Sequence, residues 1–449
     1  MIRNESILMK LPKSPPTFAD LQKEISMERM LAAVGAVSSH DSKYHHWDKL
    51  RFHTAPDGLS TGEWWFALKI RRTGQAIPIP LLDTQGRPFT FFQTELMSPA
   101  LHKIDLGAGG MIGTPEPVTN EATKNYYYVS SLIREAITSS QLEGAVVTRE
   151  VAKEMIRSER EPNDKGEKMI MNNYRTMQRL AEWKDHELTP ALIFEIHKVI
   201  TEGTLDKEDA SGRLRLEGEN VEIVDERDYE VLHSPPSASE LEQRLDKLCA
   251  FANDTNSDPF VHPVIRAIIL HFCLAYDHPF VDGNGRTARA LFYWSMLRQG
   301  FWLFEFLSIS EILVNAPVKY ARSYLLTETD DNDLNYFIHY QLEVIQKSIQ
   351  NLHSFIDKKS KEVDQVRTSL LNLSTPLNHR QETIINKASR EPNSRFTAQS
   401  HQMSHRISYG TARSDLMNLE KLKLLISRKH GKTYYYYPAP DLRDKLSSL

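Results

Sequence analysis

Read for apolar spacing, the chain is a succession of amphipathic helices with short interruptions of strand character. From Asn125 to Leu142, the residues Tyr128, Leu132, Ala136 and Ser139 recur at spacings near four, which predicts a helix; Gly144 sits where a C-cap belongs. Thr189 to Gly203 repeats the pattern with Leu192, Ile193, Ile196 and Val199 behind a threonine cap. Val264 to Tyr276 is apolar almost throughout, and Arg286 to Gln299 gathers Ala288, Leu291, Phe292, Ser295 and Met296 on one face before Gly300. Leu334 to about Leu373 continues as long, highly charged helical stretches. Alternation of period two is rarer. Val221 and Ile223 alternate with charged residues, Asp225 to Asp228 are turn-like, and Val231 and His233 supply the return strand of a hairpin between Glu219 and Pro236. The predicted fold class is mainly α.

After Pro376 the pattern shortens. Arg380 to Ser389, Ala398 to Ser404 and Ser408 to Lys421 read as three short helices, and Ile426 to Arg428 with Thr433 to Tyr437 read as two strands around His430-Gly431-Lys432. Three helices followed by a hairpin is the order of a winged helix-turn-helix. Charge sharpens this reading. From Pro376 onward there are 13 Lys and Arg against 6 Asp and Glu, a local charge of +7 in a chain of −4, which leaves the remainder at −11. Ser408 would cap a recognition helix carrying Arg413, with Arg428, Lys429 and Lys432 on the wing. Two partners stay open for this segment: DNA, whose binding would weaken steeply with added salt, and another protein, since winged helices also dock and dimerise.

The first 40 or so residues are polar and proline-containing, consistent with a disordered start. Tyr44 to about Gly113 is rich in aromatics, including Trp47, Phe52, Trp64, Trp65, Phe89, Phe91 and Phe92, which at these spacings read as the core of a small packed region. At 449 residues the chain is long enough for two or three domains. Its only cysteines, Cys249 and Cys273, fall in apolar helices, which argues against a disulfide framework or zinc site and for a reducing compartment. No apolar run is long enough for a membrane span and the N-terminus lacks a signal-peptide core, so the cytoplasm is the expected location.

One segment concentrates chemistry: His278-Pro279-Phe280-Val281-Asp282-Gly283-Asn284-Gly285-Arg286-Thr287-Ala288-Arg289. Gly283 and Gly285 flank Asn284, so the backbone can adopt positive φ and turn its N–H groups inward. A helix start directly after such a nest favours an anion, and Arg286 and Arg289, three apart, add guanidinium forks suited to phosphate. Asp282 is a candidate Mg²⁺ ligand, since magnesium beside phosphates needs only one or two protein carboxylates. His278, at the end of an apolar helix, is placed to take a proton from a hydroxyl. The other histidines of the helical region, His197, His262 and His271, read as packed residues.

This segment resembles the signature of Fic-domain proteins, H-x-F-x-[D/E]-G-N-G-R-x-x-R, at every defined position. The resemblance implies transfer of AMP from ATP to a Ser, Thr or Tyr hydroxyl of a target protein, with pyrophosphate leaving. It makes His278 the general base, Asp282 the Mg²⁺ ligand, and Gly283, Asn284, Gly285, Arg286 and Arg289 the phosphate site. Ser139-Ser140-Gln141-Leu142-Glu143-Gly144 is similar to the family's inhibitory motif, [S/T]-x-x-x-E-[G/N]. There, the position of Glu143 pairs with the last signature arginine, here Arg289, and keeps ATP from a productive pose. The hairpin would be the family's flap, with Val221, Ile223 and Val224 docking the target by strand addition, unless it is a surface hairpin without function. Gly212-Arg213-Leu214-Arg215 before it, and Tyr44-x-x-Trp47-Asp48 with Trp64-Trp65, also look familial. The resemblance divides the chain into an N-terminal extension over 1–118 and a catalytic domain over 119–345, with an inhibitory helix at 124–144 and a flap at 219–236. A helical connector over 346–375 and a winged-helix domain over 376–449 complete it. It also implies self-modification as one outcome and a homodimer as one assembly. Two alternatives remain open: removal of AMP from a modified target, with Glu143 activating water, and a nucleotide-sensing, DNA-binding regulator.

Overall fold

Apolar continuity decides which helices form the interior. The helix Pro263–Asp277 is buried at every position from Val264 to Leu274. A helix apolar on all sides has no face for water and must be enclosed by others. Pro263 in its first turn and the His262 ring, which accepts the Val264 N–H, start it. Its polar intrusions find partners for most of their atoms, the buried His271 Nδ1 excepted. Arg266 donates to the Phe251 carbonyl at 2.6 Å and the Ser257 hydroxyl at 2.8 Å, and His271 Nε2 lies 2.7 Å from the Tyr320 hydroxyl. The next helix, Asn284–Arg298, is buried from Arg286 to Leu297, with the Trp294 indole N–H donated to the Trp183 carbonyl at 3.0 Å.

The computed structural model describes residues 10–37, 43–56, 58–109, 123–219, 221–225, 229–369 and 377–447. It divides into two compact units. One comprises Met1–Ile104, Arg179–Gly300 and Ile312–Gln346; the other comprises Asp105–Gln178, Phe301–Glu311 and Lys347–Leu449. The architecture is mainly α, and the described strands form two-stranded antiparallel hairpins.

In the first unit, the two buried helices are surrounded by Pro190–Thr201, Leu241–Asn253 and Pro317–Thr329. The aromatic-rich region is core, as its spacing suggests. Trp65, Phe89, Phe91 and Tyr44 are buried, and only Phe52 stands well exposed. These residues pack on the segment that opens the helix starting at Asn335. The Tyr44 hydroxyl donates to Asp333 at 2.6 Å, the Arg72 guanidinium lies 3.9 Å from the Tyr44 ring centre, and Phe89 meets Phe272 edge-on. Within its described residues, the polar start of the chain forms helices. Thr17 and Ser26 cap helices Phe18–Glu24 and Met27–Ala36, which bury Leu21, Met30 and Ala33. The expected disordered start falls largely on residues 1–9, outside the described residues.

In the second unit, the helix Lys124–Leu142 buries Tyr127, Tyr128, Leu132, Ala136 and Ser139. Its buried Glu135 carboxylate accepts from the Ser308 hydroxyl at 2.9 Å and the Ser310 hydroxyl at 2.5 Å. The C-terminal segment folds as the pattern predicts. Helices His379–Arg390, Ala398–His405 and Tyr409–Lys421 precede strands Leu425–His430 and Thr433–Pro438, paired from Leu425 opposite Pro438 to His430 opposite Thr433. Asp415 organises these helices. It accepts Arg380 at 2.7 and 3.2 Å, Asn378 at 2.9 Å and His401 at 3.1 Å, which hold its carboxyl far below the usual range despite burial. The middle helix of the three seats on Lys124–Leu142: Tyr126 stacks on His405, and Arg406 covers the Tyr128 ring at 4.9 Å. The third helix keeps Tyr409, Thr411, Arg413, Ser414 and Met417 exposed. The last residues of the expected connector, 370–375, lie outside the described residues.

Both cysteines are buried and free. Among the described residues, no helix is long and apolar enough to cross a membrane.

Candidate functional site

The loop 278–283 joins the two buried helices, and its shape follows from its ends. The helix Pro263–Asp277 closes with His278 in the left-handed region, φ 45° and ψ 57°, its N–H donated to the Leu274 carbonyl at 3.0 Å. A non-glycine residue there costs about 1–2 kcal/mol, and such strain gathers where function fixes the direction of a side chain. The turn sets the ring Nδ1 at 3.2 Å from the Ala275 carbonyl. A carbonyl only accepts, so Nδ1 carries the proton and Nε2 of the neutral ring carries the lone pair. That is the tautomer a general base requires.

At the other end Gly283, φ 83°, caps the helix Asn284–Arg298. Its carbonyl accepts the Thr287 N–H at 3.0 Å and the Thr287 hydroxyl at 2.9 Å, so helical bonding begins at once. One expectation is corrected here: the helix starts at Asn284 rather than Arg286. Of the two glycines, Gly283 takes the positive φ and Gly285 lies in the first helical turn. Asn284 is buried, and its amide accepts the Phe280 N–H at 2.9 Å while donating to the Phe280 carbonyl at 2.8 Å. The side chain therefore staples the loop's apolar anchor.

Charge collects at this helix start. Arg286 is fully buried, donates to the Ile200 carbonyl at 3.1 Å and lies 3.6 Å from the Asp282 carboxylate; Arg289 is buried one turn on. Two guanidinium groups held away from bulk water at the positive end of a helix make an environment that favours an anion. The Asp282 side chain stays 45% exposed. One of its oxygens accepts the Gly283 N–H at 2.5 Å.

Two residues whose sequence signal was structural, or only familial, hold this loop, and a third packs on the helix end before it. The His197 ring stacks on Phe280 with centroids 3.8 Å apart, its Nδ1 accepts the Gly212 N–H at 3.0 Å, and its Nε2 lies 2.9 Å from the Asp282 carbonyl. Nδ1 must be the acceptor and Nε2 the donor, so the ring is neutral. Burial pushes its pKa down to about 4. Arg215, buried, donates its Nε to the His278 carbonyl at 3.0 Å and its Nη2 to the Pro236 carbonyl, while its backbone N–H reaches the Pro279 carbonyl at 2.9 Å. Only its place in the Gly212-Arg213-Leu214-Arg215 run pointed to it. His233, on the hairpin's return strand, is buried against Tyr276.

Neutral His197 yields a test by pH. Between its unfolded value of 6.5 and about 4, the unfolded chain binds a proton that the native ring refuses, so this residue's contribution is lost as pH falls through that window. Other titrating groups are common to both chains. The unfolding free-energy gap between wild type and His197→Gln, from urea titrations, is therefore expected to narrow by about 3 kcal/mol from pH 7 to pH 4. A gap that stays constant rules out the neutral bridge.

The hairpin is present but shorter than its pattern. Ile223–Val224 pairs with Val231–His233, Ile223 opposite His233 and Val224 opposite Val231. Val221 lies outside the strand, and Val221, Ile223 and Val224 are all half-buried. The expected turn at Asp225 to Asp228 falls mostly on 226–228, outside the described residues. In the second unit, Ser139 is buried and Glu143 forms the C-cap of Lys124–Leu142. The Ala145 N–H returns to the Ser140 carbonyl and the Gly144 N–H to the Gln141 carbonyl, at 3.0 and 3.2 Å, with Gly144 at φ 87°. This paired closure is a Schellman motif, which fixes where Glu143 leaves the helix.

Residues 187–296, which contain this loop, match the family model described as Fic/DOC family. A protein adenylyltransferase Fic of Nematostella vectensis is 31% identical over 120 residues, 26% of this chain and 25% of that protein. That of Drosophila melanogaster is 26% identical over 117 residues, 26% of this chain and 22% of that protein. The chain thus spans about a quarter of the length of the curated relatives it matches. Among solved structures, a Fic family protein from Desulfovibrio desulfuricans G20 aligns with TM-score 0.48 at 18% identity, covering 76% of this chain and 97% of that one. Fic-1 from C. elegans aligns with TM-score 0.45 at 20% identity, covering 59% of this chain and 73% of that one.

Proposed function

We propose, for a chain that carries a Fic domain at residues 187–296, that it transfers AMP from ATP to a hydroxyl of a protein. The observation that carries the reading is the His278 ring, its Nδ1 proton held by the Ala275 carbonyl, at the head of a loop that ends on a helix start with two buried arginines. Nε2 takes the proton of the hydroxyl as its oxygen attacks the α-phosphorus. The bond to the β-phosphate breaks, and pyrophosphate leaves against the positive charge of Arg286, Arg289 and the helix terminus. Such a transfer depends on positioning and charge neutralisation more than on covalent chemistry by the protein.

Mg²⁺ fits the donors present. Among the described residues no cluster of three His, Cys, Asp or Glu side chains could cage a metal, and Asp282 offers a half-exposed carboxylate beside the phosphate site. One carboxylate with phosphate oxygens and water is a normal magnesium set. Asp282 would hold the ion, which when bound neutralises phosphate charge.

Glu143 would restrain this activity by competing with ATP for Arg289; the Schellman closure that fixes Glu143 supports that role. The hairpin would dock the acceptor polypeptide through Val221, Ile223 and Val224, and the C-terminal module would present Arg413 and Lys429 to DNA or to a protein partner. The test uses ATP labelled at either the α- or γ-phosphate, with Mg²⁺. Protein labelling from α but not γ is expected, weak in wild type and about tenfold or more stronger in Glu143→Gly. Label from the γ position would replace AMP transfer with phosphorylation. Equal labelling of both chains would remove the inhibitory role.

A further inference from the structure

His233 is buried on the hairpin's return strand, and both of its ring nitrogens face acceptors. Nδ1 lies 2.7 Å from the Glu328 carboxylate and Nε2 lies 2.8 Å from the Tyr276 carbonyl. A neutral imidazole has one N–H and satisfies only one of them; the imidazolium satisfies both. Tyr276 is in the last turn of the helix that ends at His278, so the bond reaches the backbone two residues before the base. Arg215 makes a parallel connection, from the His278 carbonyl to Pro236 just beyond the same strand.

We propose that His233 is a positioning residue, whose imidazolium straps the strand Val231–His233 to the helix end presenting His278 and so sets the hairpin's place at the site. The proposal rests on the role of His278 given above. The surroundings agree on the charge state. Glu328 from the helix Pro317–Thr329 and Asp277 beside Tyr276 are the facing carboxylates, and Arg244 from Leu241–Asn253 pairs with Asp277 at 2.8 Å. Burial alone would push the His233 pKa down. The Glu328 bond and charge, with the Tyr276 carbonyl, outweigh it, and the net direction is up. The strap is therefore complete below the ordinary histidine value. It is lost as pH rises through the raised one, when the ring gives up a proton and one acceptor loses its donor.

The full-length chain tests this without relying on transfer. Histidine ring NMR, with the His233 signal assigned by His233→Gln, reports the midpoint, and hydrogen exchange corrected for intrinsic rate reports protection of the Val231–His233 amides. A wild-type midpoint above 6.5 is expected, with protection falling about tenfold as pH passes it. In Glu328→Gln both events move to lower pH, and in His233→Gln protection is low and flat. Unchanged exchange in Pro263–Asp277 reports that a variant has folded. If His233→Gln does not fold, the pH dependence of amide protection in wild type and Glu328→Gln still decides. A wild-type midpoint at or below 6.5, or protection indifferent to it, overturns the strap. Failure of α-label transfer in Glu143→Gly would instead remove the proposed activity and leave the strap standing.

Discussion

His278→Ala is expected to lower AMP transfer by about 10²–10⁴-fold, the usual contribution of a positioned general base. The loss should appear in kcat in the Glu143→Gly background, because the ring is assigned to the attacking hydroxyl rather than to ATP. Alanine leaves the left-handed backbone at position 278 with a Cβ, so its strain is not relieved and the helix end should hold. His278→Asn is the sharper control. Asparagine tolerates the left-handed region and offers a polar group near the Ala275 carbonyl, yet has no lone pair basic enough to take the proton. Both variants should unfold in urea within about 1 kcal/mol of wild type. Transfer that survives both substitutions removes His278 from the chemistry.

What was legible in the chain was what lies close together in it. The signature is contiguous, and the apolar run from Val264 to Tyr276 placed its helix within a residue at each end, because burial on all sides leaves an unbroken pattern. The C-terminal helices and hairpin were equally plain, each bounded by caps and a Gly-centred turn. The supports of the loop were not. His197 reaches Asp282, Arg215 reaches His278 and His233 reaches Glu328 across intervals of 85, 63 and 95 residues. No periodicity encodes such partners. Asn284 was hidden differently: its bonds to Phe280 are local, but a Gly-Asn-Gly run looks the same whether the amide faces a ligand or its own backbone. Which of the two glycines takes the positive φ was hidden for the same reason, since glycine permits it without requiring it. At Phe18–Glu24 the capping box of Thr17 and Asp20 is a local helix signal outweighed by the polar composition around it.

Gly283→Ala is expected to cost about 2–5 kcal/mol of stability and at least a hundredfold in transfer, from two separable causes. The backbone at φ 83° penalises any Cβ by about 1–2 kcal/mol. The added methyl would also stand 2.7 Å from Thr201 Cγ2 and 3.3 Å from His197 Nε2. Thr201 has nowhere to turn: it is buried, with its hydroxyl bonded to the His197 carbonyl at 2.8 Å and to Ser211 at 2.9 Å. Relief must then come from the loop, which moves the Asp282 carbonyl off His197 and the carboxylate with it; a displacement of about 1 Å at a reacting site costs on the order of 10² in rate. Thr201→Ser separates the two causes, because it keeps the hydroxyl and deletes the offending methyl. In the double variant the overpacking share, about 1–3 kcal/mol, should return while the backbone share persists. Urea unfolding of the four chains measures that coupling. Strict additivity would mean that Gly283 is required for its backbone conformation alone, and that Thr201 and His197 do not press on the loop as the contact distances require.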